Sequence, residues 1–183
     1  MESGAEIYRR YLGGDDTALA ELVRAYRDGL ILFVNRYTRS ISVAEDIAED
    51  VFLRLVTKKP RFRGETAFKT WLYTIGRNAA LNYIKREGRT SSLSDGAPET
   101  ADREDLEAHV LRGEKQIAVH RALDRLSPVY SSALYLKYFE ELSNDEISAV
   151  LKKTKRQVEN VLYQGKLALK KELEREGIDS EEL

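Results

Sequence analysis

Two helix-start signatures eleven residues apart constrain this chain more than any other feature. Ser143 with Glu146, and Thr154 with Gln157, have the spacing of a capping box. There a hydroxyl and the side chain three residues on satisfy orphan backbone N–H groups reciprocally. Between the two, Ile147, Val150 and Leu151 form the apolar stripe of a short first helix. Lys152-Lys153 ends it where the helix dipole favours cations. Beyond the second start, Val158, Val161, Leu162, Ala168 and Leu169 share one face, and Arg156, Asn160, Tyr163 and Gln164 the other. A short helix, a basic turn and a second helix with a polar outer face is the pattern of a helix-turn-helix DNA reader. From Lys152 to Lys171 the bases Lys152, Lys153, Lys155, Arg156, Lys166, Lys170 and Lys171 stand against Glu159 alone. A merely solvated helix face mixes its signs. Candidate DNA contacts on this element are Lys153, Lys155, Arg156, Gln157, Asn160, Gln164 and Lys166.

The formal net charge of −1 over 183 residues argues against nucleic acid only until its distribution is read. Lys58 to Arg89 holds nine basic residues against Glu65 and Glu87, and Ser91 to Glu114 holds seven acidic residues against Arg103 and Arg112. Patches, not totals, set counterion release and phosphate affinity. With 42% hydrophobic residues the chain can build cores. The lack of cysteine excludes disulfides and thiolate metal sites, and His109 and His120 are too few for a multi-histidine zinc centre, so no metal and no cofactor is expected. There is no run of 18 apolar residues, and the polar start MESGAEIYRR is no signal peptide, which predicts a cytoplasmic protein without membrane insertion.

Helical periodicity runs through the rest. A short helix is expected over 5–12 with Ile7, Tyr8, Tyr11 and Leu12 on one side, stopped by Gly13-Gly14. Asp15 or Asp16 caps a long second helix with the stripe Leu19, Leu22/Val23, Tyr26, Leu30, Phe33/Val34, Tyr37. Ser42 with Glu45 reads as the start of a third helix, to about Thr57. Lys58-Lys59-Pro60-Arg61-Phe62-Arg63-Gly64 is a basic loop broken by Pro and Gly. Thr66 starts a fourth helix, with Phe68, Trp71, Leu72, Ile75, Ala79 and Tyr83 inward, to about Lys85. Thr90 to Asp105 reads as a linker. Helical signals resume near Leu106, with one helix through Ile117 to Leu126. Another is capped by Ser127 with Pro128 at its first position, and runs to about Glu140 with Val129, Ala133, Leu136 and Phe139 inward. No strand is expected: the fold class is all-α, two small helical domains on a flexible acidic linker, with boundaries 1–89, 90–113 and 114–183.

The third helix carries more apolar residues than one stripe needs. Glu45, Asp46, Glu49 and Asp50 rim Val51, Phe52, Leu53, Leu55 and Val56. Such a helix is either buried on two sides or offers a protein partner an acid-rimmed apolar face. Asp46 and Asp50 share a face, but no base, third ligand or phosphate-cradling loop accompanies them, and Gly165-Lys166-Leu167 is no P-loop; an enzyme with catalytic residues is not expected. In the fourth helix the outer face is expected to offer Thr70, Tyr73 and Arg77, flanked by Asn78 and Asn82. Aromatics among bases suit unstacked nucleotides. Trp71 belongs with the core, which leaves Arg61 and Phe62 as the stronger candidates beside Lys58, Lys59, Arg63 and Lys69.

The strings AEDIAEDVFLRLV, FKTWLYTIGRNAALNYIKR and ALDRLSPVYSSALYLKYFEELSNDEISAVL…QVENVLYQGKLALKKEL, in that order around an acidic linker, resemble bacterial RNA polymerase sigma factors of the extracytoplasmic-function group. The resemblance covers roughly residues 15–88 and 115–174, the family's regions 2 and 4. It implies a promoter-recognition subunit whose partners are core RNA polymerase, through the β′ clamp helices and the β flap, and promoter DNA; it admits an anti-sigma factor. By the same resemblance Asp46, Glu49, Asp50, Phe52 and Leu53 grip the clamp helices. The loop Lys58–Gly64 and the start of the fourth helix capture an unpaired base of the −10 element, and the helix from Thr154 enters the major groove at the −35 element. Capture of such a base offsets an unstacking cost of a few kcal/mol without ATP. Glu49, Gly76 and Gly165 depart from the family's usual Gln, Ala and Ala. Asn160 and Gln164 stand where Ser and Arg are frequent, and because both can pair bidentately with adenine they point to an A-containing −35 site. The rival reading is an ordinary helix-turn-helix regulator acting without polymerase.

Overall fold

The computed structural model describes residues 2–90 and 113–178 and resolves the chain into two compact units, divided near Ala97. All regular structure among the described residues is helical. The linker expected over 90–113 lies almost wholly outside them.

The first unit is built from α1 (Gly4–Leu12), α2 (Asp16–Thr38), α3 (Ile41–Lys58) and α4 (Phe68–Thr90), with α2 packed against all three others. That placement explains why every residue from Leu30 to Arg36 is buried: the C-terminal half of α2 has neighbours all round. Arg36 is tolerated there because its Nε donates to the Leu32 carbonyl at 3.0 Å. At its N-terminus Asp15 is the cap, accepting from the Thr17 N–H.

Three expectations need correction here. The third helix starts two residues earlier than expected, at Ile41, with Ser40 rather than Ser42 as its cap. Arg39 ends α2 in the left-handed region (φ 56), which turns the chain at once into the extended Ser40, so no residues remain for a later start. Glu45 points instead toward Arg27 of α2, 3.8 Å away. The fourth helix begins at Phe68 rather than Thr66 and continues to Thr90. Its buried face is also rotated: Thr70 (1% exposed) and Tyr73 (0%) are inside, not outside, while Trp71, Ile75, Ala79 and Tyr83 are only half-buried. The reason is that α4 packs on both α2 and α3, which widens its buried arc toward Tyr73, Gly76 and Ala80. Tyr73 lies against Phe33, ring centroids 5.1 Å apart.

Gly76 marks the closest approach of α4 to α2. A Cβ there would stand 2.6 Å from a Leu30 methyl. Gly76→Val is therefore expected to destabilise the first unit by about 1–3 kcal/mol through overpacking. Denaturant unfolding followed by far-UV circular dichroism measures it; an unchanged midpoint would show that Leu30 gives way freely.

The second unit comprises α5 (Glu114–Arg125), α6 (Pro128–Tyr138), α7 (Asn144–Leu151) and α8 (Lys155–Arg175), with α8 in contact with each of the others. Ser127 caps α6 with Pro128 at the first position. Leu134, Tyr135 and Leu136 are buried, but Val129 and Phe139, expected inside, are more than a third exposed. α6 ends at Tyr138, so Phe139 leaves the helix and stacks on Tyr135 at 5.4 Å instead of entering the core. On α8 the buried stripe is Val158, Val161, Leu162, Gly165 and Leu173, with Ala168 and Leu169 half-exposed. Gly165 lets α6 come close: an added Cβ would sit 3.3 Å from Leu134. Arg125 holds the far end of α8 to α5 through Glu176 at 2.6 Å.

Candidate nucleic-acid and partner interfaces

The helix-turn-helix forms as the two signatures require. Ser143 accepts from the Glu146 N–H and the Glu146 carboxylate accepts from the Ser143 N–H at 2.7 Å, while Thr154 and Gln157 exchange the same pair of bonds. The turn is closed by Lys152 in the left-handed region (φ 52), by the Lys153 N–H donating to the Ser148 carbonyl at 3.1 Å, and by the Ser148 hydroxyl donating to the Lys153 carbonyl. The angle between α7 and α8 is thus fixed by backbone and side-chain bonds on both sides. α8 emerges with Lys155, Arg156, Gln157, Glu159, Asn160, Tyr163, Gln164 and Lys166 exposed on the face opposite its stripe. Most of the sequence candidates share that surface, with three qualifications. Gln157 spends its Oε1 on the cap, Lys155 has Asp145 at 3.4 Å, and Lys166 lies over the Tyr138 ring at 5.3 Å. Arg156, Asn160 and Gln164 keep polar ends directed outward, one turn apart along the helix.

In the first unit α3 presents Asp46, Glu49 and Asp50 with Leu53 (56% exposed) and Val56. Phe52, expected on that face, is only 7% exposed and belongs to the core with Val51 and Leu55. The spare apolar surface is therefore Leu53 and Val56 alone, rimmed by carboxylates.

The basic loop that follows is anchored rather than loose. Lys59 turns left-handed (φ 41) at the end of α3 and Gly64 supplies φ 75, which only glycine adopts freely. Between them the Tyr8 hydroxyl of α1 donates to the Pro60 carbonyl at 2.7 Å, and the Lys59 ammonium lies over the Tyr11 ring at 5.1 Å. Phe62 folds back against Trp71 and Phe68, at 5.3 and 5.7 Å, in a cluster that includes Tyr8. Lys58, Lys59, Arg61 and Arg63 are exposed around it. Beside the loop lies a cavity of about 460 Å³ lined by Gly4, Tyr26, Phe62, Gly64, Phe68 and Lys69 among others.

The structure does not gather every −10 candidate at the loop. Tyr73 is buried. Arg77 and Asn78 are half-buried, and Asn82 lines a separate groove between α3 and α4 with Ile47, Asp50 and Lys85. At 1.5 Å rise per residue Asn82 is about 20 Å along the helix from Phe68. Sequence reasoning missed α1 as a wall of this site. Its signals were Ser3 with Glu6, a third capping box, and Gly4, where a Cβ would meet the Tyr26 hydroxyl and the Phe68 ring. Among the described residues no group of acids and histidines could hold a metal, and no helix is long and apolar enough to cross a membrane.

Two family models match the chain: Sigma-70 region 2 over residues 22–90 and Sigma-70, region 4 over residues 116–169. The RNA polymerase sigma-H factor of Pseudomonas aeruginosa is 30% identical over 95% of both chains. The ECF RNA polymerase sigma-E factor of Escherichia coli is 31% identical over 79% of this chain and 81% of its own. Among solved structures, the sigma factor RpoE of Bartonella quintana, in complex with the anti-sigma factor NepR, aligns with a TM-score of 0.67 at 18% identity, covering 85% of this chain and 96% of that one. CnrH in complex with the cytosolic domain of CnrY aligns at 0.66 and 19%, covering 92% and 96%. Those structural likenesses speak for the fold.

Proposed function

The chain belongs to the bacterial RNA polymerase sigma factors of the extracytoplasmic-function group, and we propose how its two units divide that work. As a sigma factor it joins core RNA polymerase and directs promoter-specific initiation, with promoter DNA and the core enzyme as partners. Sigma factors act as initiation factors rather than enzymes, and no catalytic constellation is assigned to this chain.

The second unit reads the −35 element by laying α8 in the major groove. The observation that carries this is the outward row Arg156, Asn160 and Gln164 on a helix whose entry angle is fixed by two capping boxes and a closed basic turn. Lys153, Lys155 and Lys166 contact phosphates, which position the helix without specifying sequence. In the first unit, Lys58, Lys59, Arg61, Arg63 and Lys69 hold the backbone of the melted −10 strand while Phe62 and the cavity beside it receive an unpaired base. Asp46, Glu49, Asp50 and Leu53 form the clamp-helix contact, an acidic rim around a small apolar centre. Residues 90–113 join the units, and the second unit also touches the β flap. Because the Bartonella quintana factor and CnrH were each captured with a protein partner, an anti-sigma factor for this chain is part of the reading. A cytoplasmic location follows from core polymerase as its partner.

Transcription in vitro on a pooled promoter library, with and without this protein added to core polymerase, tests the assignment. Start sites that depend on the protein and share two spaced elements are expected. Tight binding to DNA without polymerase, and no new start sites, would favour the ordinary regulator.

A further inference from the structure

α1 has no place in the division of labour above, and it precedes the segment matched to region 2. It nevertheless donates a side-chain hydrogen bond to the backbone of the basic loop. Tyr8 is fully buried, and its ring is wedged against Phe68 and Trp71, the same rings on which Phe62 rests. Burial pushes its phenol up to about 12, so the hydroxyl is a donor at any working pH. The acceptor, the Pro60 carbonyl, sits between Lys59 and Arg61, and Pro60 cannot itself donate to a neighbour. One residue earlier, Lys59 is held over Tyr11 of the same helix.

The other side of α1 is tied to α2. Arg10 reaches Asp15 at 2.7 Å and Glu21 at 3.1 Å, and Asp15 is itself the cap of α2. The carboxyl of Asp15 lies below its usual range, with the Thr17 hydroxyl bond and Arg10 as the main causes. α1 is thus a strut: one side is fixed on the central helix, the other on the loop.

We propose that α1 is a positioning element for promoter melting, with the Tyr8 hydroxyl on the Pro60 carbonyl setting the loop in the shape that receives the −10 base. Tyr8 is a positioning residue and touches no DNA. A loop free to sample other shapes pays for its ordering when the base enters, so loss of the bond weakens capture of the preferred base more than it weakens general backbone contacts. The proposal rests on the reading of the loop as the −10 contact.

The test is Tyr8→Phe, which keeps the ring and removes only the donor. Reconstituted holoenzyme transcribes paired templates that differ by one base of the −10 element, and the ratio of the two initial rates is measured. That ratio does not change with the fraction of protein that is folded, so a merely structural role leaves it alone. Tyr8→Phe is expected to lower it by roughly three- to tenfold, the worth of one buried hydrogen bond. Phe62→Leu and Arg61→Ala are run in parallel. If they lower the ratio and Tyr8→Phe does not, α1 is no positioning element, though the loop keeps its role. If the loop variants also leave it unmoved, the −10 reading falls and the proposal with it.

Discussion

Leu53→Glu combined with Asp50→Lys is expected to abolish assembly with core polymerase at concentrations where the native chain is saturated. Leu53 is the most exposed apolar side chain on α3, and Asp50 is exposed one turn before it. An apolar residue at the centre of a small interface, excluded from water by a charged rim, is where binding energy concentrates. Truncating such a residue typically costs 2 kcal/mol or more, so the Kd for core enzyme should rise by roughly 30-fold at least. Reversing a rim charge slows association and makes it less sensitive to salt. Neither position is buried, so unfolding should stay within about 0.5 kcal/mol of the native chain. Fluorescence titration of labelled protein with core polymerase measures the first quantity and a denaturant melt the second. An unchanged Kd would remove α3 from the interface and leave Leu53 a solvated leucine.

Arg156→Ala is expected to have the next largest effect, and of a different kind. Holoenzyme assembly stays intact while transcription from promoters that need their −35 element falls. A bidentate base contact is worth about 1–3 kcal/mol of discrimination. The loss should therefore be roughly 5- to 150-fold, and smaller on templates with a pre-melted −10 region that depend less on upstream contact. Lys155→Ala offers the contrast: as a phosphate contact it should weaken all promoters alike and lower the salt slope by about one. Asn160→Ala should relax the choice of base at a single adenine position. Equal losses from Arg156→Ala on promoters with and without a −35 element would place that side chain on the backbone instead.

What could be read from sequence was whatever the chain encodes within a few residues. Ser143-Glu146 and Thr154-Gln157 formed as boxes because hydroxyl, acid or amide, and backbone N–H groups are neighbours in any helix start. The same reasoning misplaced the cap of α3. Ser42-Glu45 has the right spacing, but the two-residue corner after α2 decides where the next helix may begin, and that is a property of packing. It also missed Ser3-Glu6, an identical local signal: the apolar side of α1 was legible, but not what that side packs on. α4 shows the limit most clearly. Apolarity alone put Ile75 and Tyr83 inside and Thr70 and Tyr73 outside, whereas two neighbouring helices at once favour small groups and a long ring with a hydroxyl. Phe52 and Leu53 are adjacent, both apolar, and only the fold says which one faces water. Tyr8 on Pro60 joins residues 52 apart, a contact no spacing rule reaches.

The helix exits at Arg39, Lys59 and Lys152 all hold a long basic residue in a backbone conformation that glycine would adopt without strain. A residue with a Cβ in that region costs about 1–2 kcal/mol. Two of the three open the segments assigned to promoter contact. Selection for heat resistance alone would drive Lys59 and Lys152 toward glycine, and each step would remove a cation from a segment assigned to promoter contact. A laboratory evolution scheme that rewards only soluble, heat-tolerant protein would thus drift toward a sturdier chain that has gone deaf to its promoters.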